Sequence, residues 1–278
     1  MASILLHLVN ALLYAGAAAY YWQTRWCPAT VPAAPEEYRQ SAAWEHAIIL
    51  VPLALHTWLL YTTMFEPEGL FLGVGTALSA IAWLSMLIYW VASVVYRQEG
   101  LQTLILPVAA VAVLLPVLFP ATRPLAHTEV PAFKFHLVLS MLAYSLFTIA
   151  SLHVVLMALV ERRLHGGGLS RSLRWVPPLL TMETLLFRII GAGFVLLTLV
   201  LISGIFFSEE VFGKPMSFSH KTIFAWLSWG IFAALLAGRS IYGWRGRIAV
   251  RWTLAGFLAL VLAYLGSKFV LEVLLGRG

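Results

Sequence analysis

His136 lies two residues after Lys134 in AFKFHLVLSMLAYSLF, and His220 is followed directly by Lys221 in GKPMSFSHKTIFAWLSWGIF. A neutral imidazole ligates iron, and an ammonium group pairs with carboxylates. Two imidazoles from different segments, each with a lysine beside it, therefore suit a haem. The rings of His136 and His220 would take the iron, and Lys221, with Lys134 or Lys214, the propionates. Phe206, Phe207, Phe218, Phe224 and Trp226 supply apolar faces for the macrocycle. A third histidine, His56, falls inside the apolar run LVPLALHTWLLY. An ionisable side chain in hydrocarbon is a functional-site candidate, although a packing hydrogen bond accounts for it equally well. If functional, His56 is a secondary haem contact or a proton-linked gate. Four histidines read as ordinary ones: His7 bonded to a neighbouring helix, His46 beside Glu45 at a membrane boundary, and His127 and His165 in loops. His153 is within a span but, on an ideal helix, off the face of His136.

The elements that must position these side chains are membrane helices. The chain is 61% hydrophobic and 11% charged, with a mean hydropathy of +0.89. A soluble domain would carry roughly 25% charged residues. Crossing the hydrocarbon takes about 20 apolar residues. Such runs recur near 3–22, 44–64, 70–95, 101–119, 134–160, 185–207, 219–239 and 249–273, which predicts an all-α bundle of about eight transmembrane helices. The first run has no Lys or Arg ahead of it and is longer than an ordinary signal-peptide core, so it is expected to be a span. No soluble domain fits between the spans, and residues 1–278 read as one membrane domain without internal repeats. Gly and Ser in GAGFVLLTLVLISG read as close helix packing. The single cysteine, Cys27, excludes an internal disulfide and a cysteine zinc cage.

Basic residues in such a chain report topology, so the net charge of +6 is no sign of nucleic-acid binding. Arg162, Arg163, Arg171 and Arg174 follow the fifth run, and Arg239, Arg245, Arg247 and Arg251 follow the seventh. The positive-inside rule makes that face cytoplasmic and places both termini outside. His136, His220 and all four lysines then fall at or near the outer surface.

From His136 onward the chain resembles the cytochrome c assembly family of membrane haem-handling proteins, the CcsA and CcmC group. It looks closest to the smaller branch usually called YpjD or HemX-like. The stretches that carry the resemblance are FHLVLSMLAYSLFTIASL, LLFRIIGAGFVLLTLVLISG, HKTIFAWLSWGIFAALLAGR, YGWRGR and RWTLAGFLALVLAYLGSKFVLEVLLGR, in family order. LHTWLLY extends it more faintly, so the family-like region is about 44–277. The resemblance implies that His136 is an external haem ligand and that His56 belongs to the family's haem path. The tryptophan-rich external motif is missing, and SEEVFGKPMSFSHK stands in its place. Counting back from Trp229, Lys221 falls on that motif's lysine and His220 on its proline. The family's second membrane histidine would fall at Ala237, and its second external histidine is absent. A single outer site with His220 as a relocated partner is the arrangement these residues allow.

The implied role is haem binding or passage at the outer leaflet of a bacterial inner membrane, in service of apocytochromes and cytochrome-maturation proteins. No Ser-His-Asp pattern, HExxH or phosphate loop is present, so no enzyme is expected. A membrane regulator of a tetrapyrrole-pathway enzyme is the main alternative. A small-molecule transporter is a weaker one, because no matched pair of broken helices marks two half-repeats.

Overall fold

The computed structural model describes residues 2–26, 35–95, 100–165, 177–212 and 220–266. Apolar runs without water to bond their peptide groups become helices, because a helix satisfies its own backbone. The helices are α1 (Ala2–Tyr21), α2 (Pro35–Met64), α3 (Val74–Val95), α4 (Gln102–Ala112), α5 (Leu115–Leu118), α6 (Pro131–His165), α7 (Leu179–Phe212), α8 (His220–Tyr242) and α9 (Arg247–Val261). Seven of them, all but α4 and α5, are long and apolar enough to cross a membrane. The protein is an all-α, multi-pass membrane bundle. A two-residue hairpin, Phe65–Glu66 against Gly69–Leu70, joins α2 to α3. Gly69 turns it with φ of 139°, a value that favours glycine.

The run 101–119, expected as one span, is interrupted. Pro116 has no N–H to offer the Ala112 carbonyl, so the helix breaks at Val113 and Leu114 and restarts as α5. The broken pair nonetheless runs antiparallel along most of α3. At one end the Tyr89 hydroxyl donates to Gln102 Oε1 at 2.8 Å. At the other, Gly75 lies against the carbonyl oxygens of Leu115 and Phe119. The apolar run 101–119 is thus a helix in two pieces, shorter than the seven candidate spans.

The run 70–95 starts as helix only at Val74, whereas two other helices extend past their hydropathic runs. The run 134–160 lies within Pro131–His165, and 185–207 within Leu179–Phe212. His165 accordingly ends α6 and is not in a loop. α6 is the central element, packing along α3, α7 and α9. It meets α8 through Phe147 and Phe232, whose rings stack with centroids 4.0 Å apart. Gly193 of α7 lies against the Phe147 ring, and Gly256 of α9 against the Phe232 ring. The helix ends carrying Arg162, Arg163, Arg239, Arg245, Arg247 and Arg251 share one face of the bundle. There Arg239 bonds the buried Glu183 at 3.3 Å and sits 4.7 Å above the Phe187 ring.

Candidate functional site

His136 stands in the second turn of α6, half-buried against the far end of α7. Its Nδ1 lies 2.8 Å from Ser203 Oγ, and that hydroxyl lies 3.0 Å from the Val200 carbonyl. A carbonyl only accepts, so the serine proton goes to Val200 and the Nδ1–H of His136 donates to the serine. This assignment follows from the partners. It leaves the Nε2 lone pair bare, the tautomer in which an imidazole ligates a metal. Gly204 brings α7 close to the ring, since a Cβ there would be in ordinary van der Waals contact with His136 Cε1 at 3.6 Å. Lys221, in the first turn of α8, is close enough for its charge to act on the His136 ring.

His220 begins α8 and is exposed, one residue from Lys221. Lys134 is exposed in the first turn of α6. Lys214 and Phe218 lie outside the described residues, and the ring of Phe207 is not described. Phe206 is exposed, and Trp226 packs edge-on to Trp229 with centroids 5.8 Å apart. Trp229 stacks on Phe194 and donates from Nε1 to Thr198 Oγ1 at 2.9 Å, which ties α8 to α7 below the site. The structure thus brings together His136, Ser203 and Gly204, with Lys221 within electrostatic reach. Among the described residues no group of three or more His, Cys, Asp or Glu could hold a bare metal ion. A bis-imidazole haem asks for only two.

His56 belongs to a different neighbourhood. It is 0% exposed, in the bundle as expected of an imidazole in hydrocarbon. Its Nδ1 lies 3.3 Å from the Tyr14 hydroxyl and its Nε2 2.9 Å from Ser79 Oγ. Both ring nitrogens are engaged. Asn10 adds a third tie: its amide nitrogen donates to the Pro52 carbonyl at 3.0 Å and its oxygen accepts from the His56 backbone N–H at 3.2 Å. His56 therefore joins α1, α2 and α3. Ala237, where the resemblance would put a second membrane histidine, is on an exposed face of α8.

Sequence reasoning missed Ser203, Asn10 and Tyr14. Ser203 sits in the apolar run read as helix packing, which Gly193 and Gly204 do support. For α1 a signal was present, because His7, Asn10 and Tyr14 recur at helical spacing and all are buried. His7 bonds the Ser3 carbonyl of its own helix at 2.8 Å, not a neighbouring helix. His153 is buried with Nε2 donating to the Met182 carbonyl at 2.9 Å.

The cytochrome C assembly protein family model matches residues 44–275. Inner membrane protein YpjD of Escherichia coli K12 is 32% identical over 157 residues, 56% of this chain and 59% of that relative. The chain thus spans less than two thirds of the length of that relative. An uncharacterised 28.8 kDa protein of Azospirillum brasilense is 30% identical over 209 residues, covering 72% of this chain and 77% of its own. Cytochrome c biogenesis protein CcsA of Prochlorococcus marinus is 42% identical over 89 residues, 32% of this chain and 29% of that protein. No solved structure matches. Because the family model takes in most of the length, from the second helix through the last, the chain belongs to the cytochrome c assembly protein family.

Proposed function

We propose that this protein binds haem at the outer leaflet, between His136 and His220, and presents it for cytochrome c assembly. The observation that carries the reading is the His136–Ser203–Val200 chain, which fixes the imidazole with Nε2 free. When bound, haem supplies an iron for two imidazoles and two propionates for cations. The chain's own residues do the rest. Ser203 orients the ligand ring, and Lys221 with Lys134 or Lys214 neutralises carboxylates. The protein acts by binding and not by bond-making. For His56, packing is the role we propose, because both of its nitrogens already have partners. The cytochrome c biogenesis role named for the CcsA relative accords with this reading.

Haem titrated into detergent-purified protein should give the spectrum of a six-coordinate, bis-imidazole complex. His220→Ala should lower bound haem and change that spectrum. Lys221→Ala should weaken retention and leave the spectrum alone, since it touches carboxylates and not iron. His56→Asn should keep both. A wild-type protein that binds no haem would end the proposal, and an unchanged spectrum in His220→Ala would remove that residue as ligand. The same reading puts the arginine face in the cytoplasm. A reporter fused after Gly278 should then be active only if it works outside, and cytoplasmic activity would reverse the orientation.

A further inference from the structure

A second site lies at the opposite face. A cavity of about 510 Å³ opens between the end of α6 and the start of α9, lined by Ala158, Glu161, Arg162, Arg247, Val250 and Arg251. That volume falls in the range of ligand pockets, about 300–1,000 Å³. Three arginines and one glutamate thus line the cavity. Glu161 Oε1 meets Arg247 Nε at 3.4 Å, which engages one of the three cations. Among the described residues neither Arg162 nor Arg251 has an acidic partner. α9 begins here with no acidic residue in its first turn, so its positive end adds to the field. Ala158 and Val250 form an apolar wall, and the cavity lies at the C-terminal end of the apolar helix α6 and the N-terminal end of the apolar helix α9.

From this geometry we infer a binding site for a phosphate-bearing anion, held by Arg162 and Arg251 with Arg247 alongside. Planar guanidinium groups match phosphate oxygens in pairs, and basic clefts between membrane helices hold anionic head groups. Two sources carry this chemistry: the head group of an anionic phospholipid, and a soluble phosphate. The apolar wall suits the glycerol and first methylenes of a lipid, and the arginines suit either.

The full-length protein in detergent would be examined by native mass spectrometry with phosphatidylglycerol or phosphatidylcholine, and by thermal unfolding with inorganic phosphate. The test variant is Arg162→Gln/Arg251→Gln, both exposed positions. Arg245→Gln, on the same face but outside the cavity, is the control. Each arginine is worth about fivefold towards an anionic surface, so the double variant should lose roughly 25-fold in phosphatidylglycerol retention. Phosphatidylcholine should bind wild type and variant alike. Loss of phosphatidylglycerol in the double variant alone supports the site with a lipid occupant. Phosphate-dependent stabilisation of wild type, absent from the double variant, supports it with a soluble one. If neither ligand distinguishes the double variant from wild type, or if the single control Arg245→Gln also loses about fivefold, as any arginine near an anionic surface would, the site is overturned.

Discussion

Replacing His136 with alanine is expected to reduce haem affinity about 100-fold or more, beyond the roughly 10–100-fold typical of removing a residue that only orients a ligand. The spectrum should move from six-coordinate to five-coordinate, because His220 would remain as the single ligand. Ser203→Ala should fall in the milder range and keep the six-coordinate spectrum, since it removes the hydroxyl that receives Nδ1–H and leaves the ring in place. His136→Gly supplied with free imidazole should regain the six-coordinate spectrum, which separates loss of a ligand from loss of fold. Equal haem content and spectrum in wild type and His136→Ala would sink the assignment.

The second large effect is on stability. Gly75→Ala is expected to destabilise the bundle by about 3 kcal/mol or more, at the upper end for overpacking. An added Cβ at Gly75 would overlap the carbonyl oxygens of Leu115 and Phe119, and these are backbone atoms that no rotamer change can move. Alanine's helix propensity would return only about 1 kcal/mol, so the sign should be unfavourable. Gly191 is the comparison, because a Cβ there meets nothing within 4 Å. Gly191→Ala should be neutral, or stabilise by up to about 1 kcal/mol. Unfolding of both variants in mixed micelles would show the contrast. Equal stabilities would mean that α5 is not seated against α3 as described.

Hydropathy made most of the bundle legible, because the solvent change from water to hydrocarbon is written into composition. It could not place helix ends: α7 continues to Phe212 although the apolar run stops near 207, since a helix keeps its bonds in water too. Nor could it show that Pro116 would split a span, because a proline within an apolar run is compatible with a kinked helix. His136 was legible as a candidate from its lysine neighbour and its place at a helix end. Its partner Ser203 was not, because the bond joins residues 67 apart and a lone serine in a membrane run has many uses. The His56 cluster failed for the same reason, since three helices contribute to it.

The ring stack between α6 and α8 sets how the C-terminal half can deform. Glycine, phenyl, phenyl and glycine follow one another from α7 through α6 and α8 to α9, with the two rings 4.0 Å apart. Sliding α8 by one turn past α6, about 5.4 Å, would pull the rings off each other. Tilting all four helices together keeps every layer in register.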